Sequence, residues 1–302
     1  MRDFDINFLI HSPTRHSVNY IGGSMVCHSL AHDLATLGES SYICSDSTSP
    51  DYSCGIIPWG TDISYDPENT IVVYTAGADH VFDPTSLQNI KDIPNAVRWL
   101  VGEQQYSYPS ENKFYRYCDH FKNYPDQKVD GQFLSYDVDF NLFKNFNAPR
   151  KGSCFFTKGT AIQNRYHPSD SFDLSYMYSI AGEDRMKFLS EVFNTTETFY
   201  LYNHRSFIAV LAALCGCNVV VFPHTWEGEE IDISRFNKDE WVSTLPTFRY
   251  GIACGMNDLE WSINTKHLVE DNIKSVREQG IVDIKKFVDD CYDWLKNKYN
   301  IR

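Results

Sequence analysis

The 302 residues carry 40 acidic against 27 basic side chains, a formal net charge of −13 at pH 7. That balance excludes a general nucleic-acid binder, which needs a basic surface for the phosphate backbone, although one nucleotide needs only a local positive site. No run approaches the roughly 18 apolar residues of a membrane span, and the opening MRDFDINFLI is too acidic for a signal peptide, so a cytoplasmic chain with room for two domains is expected.

Ile6–Ile10 (INFLI) reads as a first buried strand. The loop after it ends in Gly22-Gly23-Ser24. A helix then runs to about Leu37 with Val26, Leu30, Leu34 and Leu37 on one face, and Gly38 stops it. Ser40–Cys44 is a second strand, which makes a βαβ opening whose first turn is where open α/β sheets hold ligands. Gly22 and Gly23 let backbone approach a phosphate or an acceptor there, although GGS is not the G-x-G-x-x-G of dinucleotide folds. His28 and His32, four residues apart, read as surface histidines on the polar helix face. Thr70–Thr75 and Ala96–Val101 are further buried strands. His11, His16, Asp79, His80 and Glu103 all stand on loops that follow these strands. Asn145–Gly152 (NFNAPRKG) is the best boundary, dividing 1–148 from 149–302.

A second alternating unit opens at Ser153–Phe156, followed by Thr157-Lys158-Gly159, and Glu183–Phe193 reads as helix. Thr198–Pro223 then reads as strand, turn, helix, strand. Phe207–Leu214 carries no charge, so its helix needs a sheet on one side and a further layer outside it. Gly216 closes that helix at C′. Asn203, His204, Arg205 and Ser206 stand where strand ends and helix begins, and free N–H groups with the helix dipole favour an anion there. Asp137-Val138-Asp139 matches the D-x-D pattern of metal-nucleotide sites, but three residues in an acidic chain match it often by chance, and it lies near the domain boundary. Glu227, Glu229 and Glu230 read as a solvated loop, or alternatively as a holder of sugar hydroxyls. Phe248–Cys254 is a last short strand, and Ile284, Val288, Cys291 and Leu295 recur at helical spacing near the end. Nine cysteines, odd in number and with C-x-C rather than C-x-x-C at Cys215–Cys217, read as packed, reduced thiols. The fold expected is α/β, with two Rossmann-like domains facing a cleft.

Two stretches together resemble a glycosyltransferase family of the GT-B type, the capsule or surface-glycan enzymes of viral or bacterial origin. YLYNHRSFIAVLAALCGCNVVVFP, residues 200–223, is similar to its "Y-D-x-x-T…AALCGC…VVV-P" block, and RYGIACGMNDLEW, residues 249–261, to its "RYGIAYG-x-x-D-x-x-W/Y-A" segment. KGSCFFTKG and VRWLVGE resemble strands of the two domains. Asn203 stands where Asp is common, Ser206 where Thr is common, and Leu211 at a helix position where many GT-B enzymes carry a ribose-holding Glu.

The resemblance implies a metal-independent transfer without a cofactor, from a UDP-, GDP- or dTDP-linked sugar to a glycan acceptor. The N-terminal domain would hold the acceptor. In the C-terminal domain Lys158, Arg205 and Ser206 would serve the donor diphosphate, and Tyr202, Asn203 and His204 would line the sugar pocket. Glu103, His16 and Asp79 are the candidate general bases for an inverting transfer. Two other readings stay open: a non-catalytic nucleotide- or glycan-binding protein with a degenerate GT-B fold, and a sugar-nucleotide epimerase.

Overall fold

The computed structural model describes residues 4–12, 23–59, 61, 66–75, 95–101, 112–117, 128–159, 161–162, 164–180, 182–203, 206–225, 228–232 and 250–301. They divide into two compact units, Met1–Asp137 with Arg277–Arg302, and Val138–Val276.

The first unit is built on β1 (Asn7–His11), α1 (Gly23–Thr36), β2 (Ser40–Cys44), β3 (Gly55–Ile57), β4 (Thr70–Thr75), β5 (Ala96–Leu100), β6 (Lys113–Arg116) and β7 (Gly131–Gln132). Runs such as TIVVYT are buried at every position, as a strand covered on both faces requires. The strands form one parallel sheet in the order β3-β2-β1-β4-β5-β6-β7. This is the Rossmann-like order, and its direction reverses between β1 and β4. α1 packs on β1 and β2.

The second unit contains β8 (Ser153–Phe156), β9 (Phe172–Asp173), α2 (Gly182–Thr195), β10 (Thr198–Leu201), α3 (Ile208–Leu214), β11 (Asn218–Val221), β12 (Ile252–Cys254) and α4 (Leu259–Thr265). Its sheet is also parallel, in the order β12-β11-β10-β8-β9. The chain leaves β8 for β9 on one side and returns to β10 on the other, so this sheet has its switch point between β8 and β10. All seven residues of α3 are buried. The helix lies on β11 and β12 and packs beside α2, whose Phe193 itself meets Phe199 of β10 with centroids 5.2 Å apart.

α3 ends in a Schellman motif. Gly216 at φ +87° is the left-handed C′ residue, its N–H bonds Ala213 O at 2.9 Å, and the Cys217 N–H bonds Ala212 O at 3.1 Å. Arg150 donates to Phe193 O and Thr196 O at the end of α2 and to Cys215 O at the end of α3, while the Lys266 ammonium bonds Gly216 O at 3.0 Å. Two cations therefore sit against helix C-termini, where the dipole favours positive charge. Ser190 Oγ donates to Leu142 O, and Asn194 Oδ1 accepts from the Phe146 N–H at 2.8 Å. These bonds tie the segment after Val138 to α2, so the second unit begins upstream of the polar stretch read as the boundary.

The last helix, α5 (Val269–Tyr299), is continuous over 31 residues. From Arg277 onward it belongs to the first unit. Phe287 packs there among Phe8, Tyr115 and Phe133, with ring centroids 6.0, 4.9 and 4.5 Å away, a burial worth about 1.5–3 kcal/mol. The Arg277 guanidinium forks onto both oxygens of Asp33, whose residue is 1% exposed, and Ser135 Oγ donates to Asp33 Oδ2 at 2.6 Å. No helix among the described residues is long and apolar enough to cross a membrane.

Candidate functional site

The C-terminal edge of the second sheet gathers several of the residues singled out in the sequence. Phe156 of β8 pairs with Leu201 of β10, and the Tyr202 N–H extends the ladder to Phe156 O at 3.0 Å. Lys158 and Asn203 each stand two residues beyond that last pair, on adjacent strand ends at the switch point. Lys158 is left-handed at φ +56° and is followed by Gly159 at +80°, a conformation costly for a side chain with a Cβ. Its side chain is exposed, yet desolvation by the surrounding protein lowers the ammonium pKa. Asn203 is 4% exposed.

Ser206 stands just before α3, and its carbonyl accepts from the Ala209 N–H at 3.2 Å. Phe207 holds the N-cap position and offers no side-chain cap. A helix of seven residues carries a short dipole, and the cations described at this edge are Lys158 and, on the strap bound to Tyr202, Arg165. His204 and Arg205 lie outside the described residues.

Tyr202 is fully buried, and its hydroxyl organises a strap, residues 164–167, that crosses the face of the sheet carrying Phe155, Tyr200 and Phe222. The hydroxyl accepts the N–H groups of Tyr166 at 2.7 Å and His167 at 3.2 Å, and lies 2.7 Å from His167 Nδ1. His167 stacks on Phe155 with centroids 3.9 Å apart, and burial, then the Arg165 charge, lowers its pKa. Tyr202 thus acts through the strap; its oxygen is occupied by protein groups.

At the switch point of the first sheet, register aligns His11, Tyr74 and Arg98 on β1, β4 and β5. His11 stacks on Tyr74 at 5.7 Å, and the Arg98 guanidinium lies 4.6 Å from the centre of the same ring. Burial pushes His11 down to about 3, too low for an effective general base at neutral pH. Gly23 opens α1, and Ser24 Oγ lies 3.2 Å from Ser12 Oγ. Gly22 lies outside the described residues, as do the three candidate bases Glu103, His16 and Asp79, and also His80.

No protein-family model matches the chain, and no curated protein matches it significantly.

One reading from local pattern changes once tertiary structure is present. His28 is buried, not on the surface: its Nδ1 lies 2.9 Å from Thr48 Oγ1, whereas His32 stacks on Tyr52 at 4.7 Å. In the D-x-D, Asp139 Oδ1 accepts the N–H groups of Asn141 and Leu142 at 2.8 and 3.1 Å, which is a turn cap. The eight described cysteines are free and buried, and burial raises Cys44, Cys215 and Cys217 to about 12, which makes them inert packing groups. The strap itself escaped sequence reading. Its one usable signal is the NRYH run at residues 164–167, polar and aromatic in a stretch without periodicity.

Proposed function

We propose that this chain is a glycosyltransferase of GT-B arrangement that moves a sugar from a UDP-, GDP- or dTDP-linked donor to a glycan acceptor without a metal. The observation that carries the reading is Lys158, a lysine in a left-handed turn on the strand end beside the switch point of the second sheet. Strained backbone concentrates where function demands a fixed side-chain direction, and open α/β sheets hold ligands at this place. The ammonium there meets the charge that grows on the leaving nucleoside diphosphate. Ser206 and the residues before it would complete the diphosphate site. The first unit, itself a parallel sheet with its own switch point, would hold the acceptor, and Glu103, His16 or Asp79 would take the acceptor proton. In surface-glycan synthesis the acceptor is a growing saccharide.

One observation favours a non-catalytic nucleotide-binding role instead: Leu211 is 1% exposed within α3 and offers no contact to a ribose. Incubation with nucleotide sugars, with no acceptor added, separates the two. A transferase slowly releases nucleoside diphosphate and free sugar, and the release is lost in Lys158→Ala. A nucleotide sugar that stays whole with every donor tried contradicts the transferase reading.

A further inference from the structure

The edge that carries Lys158 also holds an aromatic ring and a carboxylate fixed to each other. Tyr166 lies with one face on Phe222, centroids 4.3 Å apart and planes 14° from parallel, yet the residue is 42% exposed. Its outer face is open. Its hydroxyl donates to the Glu230 carboxylate, 2.7 Å from Oε1 and 2.9 Å from Oε2, and Asn164 Nδ2 donates to Oε2 at 2.8 Å. Glu230 is held from its own side too. It bridges to His224, the Ile231 N–H bonds Pro223 O at 2.9 Å, and the Thr225 N–H bonds Glu229 O at 2.8 Å.

The donors from Asn164 and Tyr166 hold the Glu230 carboxyl below its ordinary range, so it is ionised at neutral pH. A carboxylate has about four acceptor sites, and the two donors leave capacity for more. The ring is also tied to the proposed diphosphate edge, because the Tyr166 N–H bonds the Tyr202 hydroxyl on the strand end next to Lys158. An open aromatic face stacks any nucleobase, and a fixed carboxylate beside it accepts from the vicinal hydroxyls of a ribose, as acidic residues do in nucleotide sites.

We infer that Tyr166 and Glu230 hold the nucleoside of the donor, Tyr166 stacking the base and Glu230 accepting from the ribose 2′- and 3′-hydroxyls. The donor is then a ribonucleotide-linked sugar and not a dTDP-linked one. This inference rests on the donor-site reading above.

Calorimetric titration of the full chain with UDP, GDP, CDP and ADP, each beside its 2′-deoxy counterpart, tests it. Wild type binds one ribonucleoside diphosphate about tenfold or more tighter than the deoxy form, the size expected for a hydrogen bond to a charged acceptor. Glu230→Gln, at an exposed position where size is kept, erases that discrimination. Tyr166→Ala weakens the ribo and deoxy forms alike. Equal affinities in wild type, or discrimination that survives Glu230→Gln, overturns the inference and leaves the diphosphate site standing. No binding of any diphosphate overturns both.

Discussion

Tyr202 gives its single hydroxyl proton to His167. The phenolic oxygen has two lone pairs, and both are taken by the N–H groups of Tyr166 and His167. The proton therefore points to His167 Nδ1 at 2.7 Å, and the neutral imidazole carries its own hydrogen on Nε2. Nitrogen-15 NMR of the His167 ring is expected to show a protonated Nε2 and a bare Nδ1; the reverse tautomer contradicts the account. Tyr202→Phe strands two N–H groups and destabilises the fold by about 2 kcal/mol or more, read by denaturant unfolding.

Asp33 and Arg277 form an ion pair with Asp33 at 1% exposure, and Ser135 adds a further donor. Removing one partner leaves an uncompensated buried charge, which costs about 3–5 kcal/mol. Arg277→Leu is expected to lose that much, while Lys274→Ala, which cuts the exposed pair with Glu270 one helical turn before it on α5, changes stability little. Equal losses in the two variants would count against the pair as an anchor of α5.

Gly280 stands on α5 where it faces the backbone of Leu134. A Cβ added there would meet the Leu134 carbonyl oxygen far inside contact distance, and a carbonyl cannot move aside as a flexible side chain does. Gly280→Ala should therefore destabilise by about 1–3 kcal/mol, although alanine is the better helix former by about 1 kcal/mol. A more stable Gly280→Ala would show that α5 does not lie this close.

Acid should destabilise the first unit through two histidines. Burial lowers His11 to about 3 and His28 to about 4, against an ordinary value of about 6.5 in the unfolded chain. Between those values the unfolded chain binds more protons than the native one, so stability is full above pH 6.5 and falls as pH drops. The slope contributed approaches about 1.4 kcal/mol per pH unit for each histidine. His28→Gln is expected to flatten unfolding free energy measured from pH 6.5 to 4.5; parallel profiles for variant and wild type contradict this.

Much of the frame is legible in the chain. Thr70–Thr75 appears as a strand because burial on both faces leaves a continuous apolar signature, and the partly buried Ser40–Cys44 and Ser153–Phe156 appear from β-forming residues that end in turns. Short elements at or next to the sheet edges do not. β3 has three residues and β9 only two, Phe172 and Asp173, and KFYR of β6 is polar at both ends. The helical spacing of Ile284, Val288, Cys291 and Leu295 shows the last part of α5, while its continuity from Val269 through Gly280, a close-packing position, emerges only from the structure. At the site, Lys158 and Asn203 were legible from strand ends. Tyr166, His167 and their bonds to Tyr202 were not, since those contacts span about 36 residues and depend on how one loop folds back across the sheet.

Lys158 is the residue on which the functional account turns, and its backbone allows binding to be separated from stability. Glycine takes φ +56° freely, so Lys158→Gly should fold at least as stably as wild type, gaining up to about 1 kcal/mol. The most direct measurement is the thermal midpoint of wild type and Lys158→Gly with UDP, GDP, CDP and dTDP, with and without EDTA. One diphosphate is expected to stabilise wild type, by about 2.7 kcal/mol at a hundredfold excess over Kd, unchanged by EDTA and absent in the variant. No shift with any nucleotide, or a shift that EDTA removes, contradicts a metal-independent donor site at this edge.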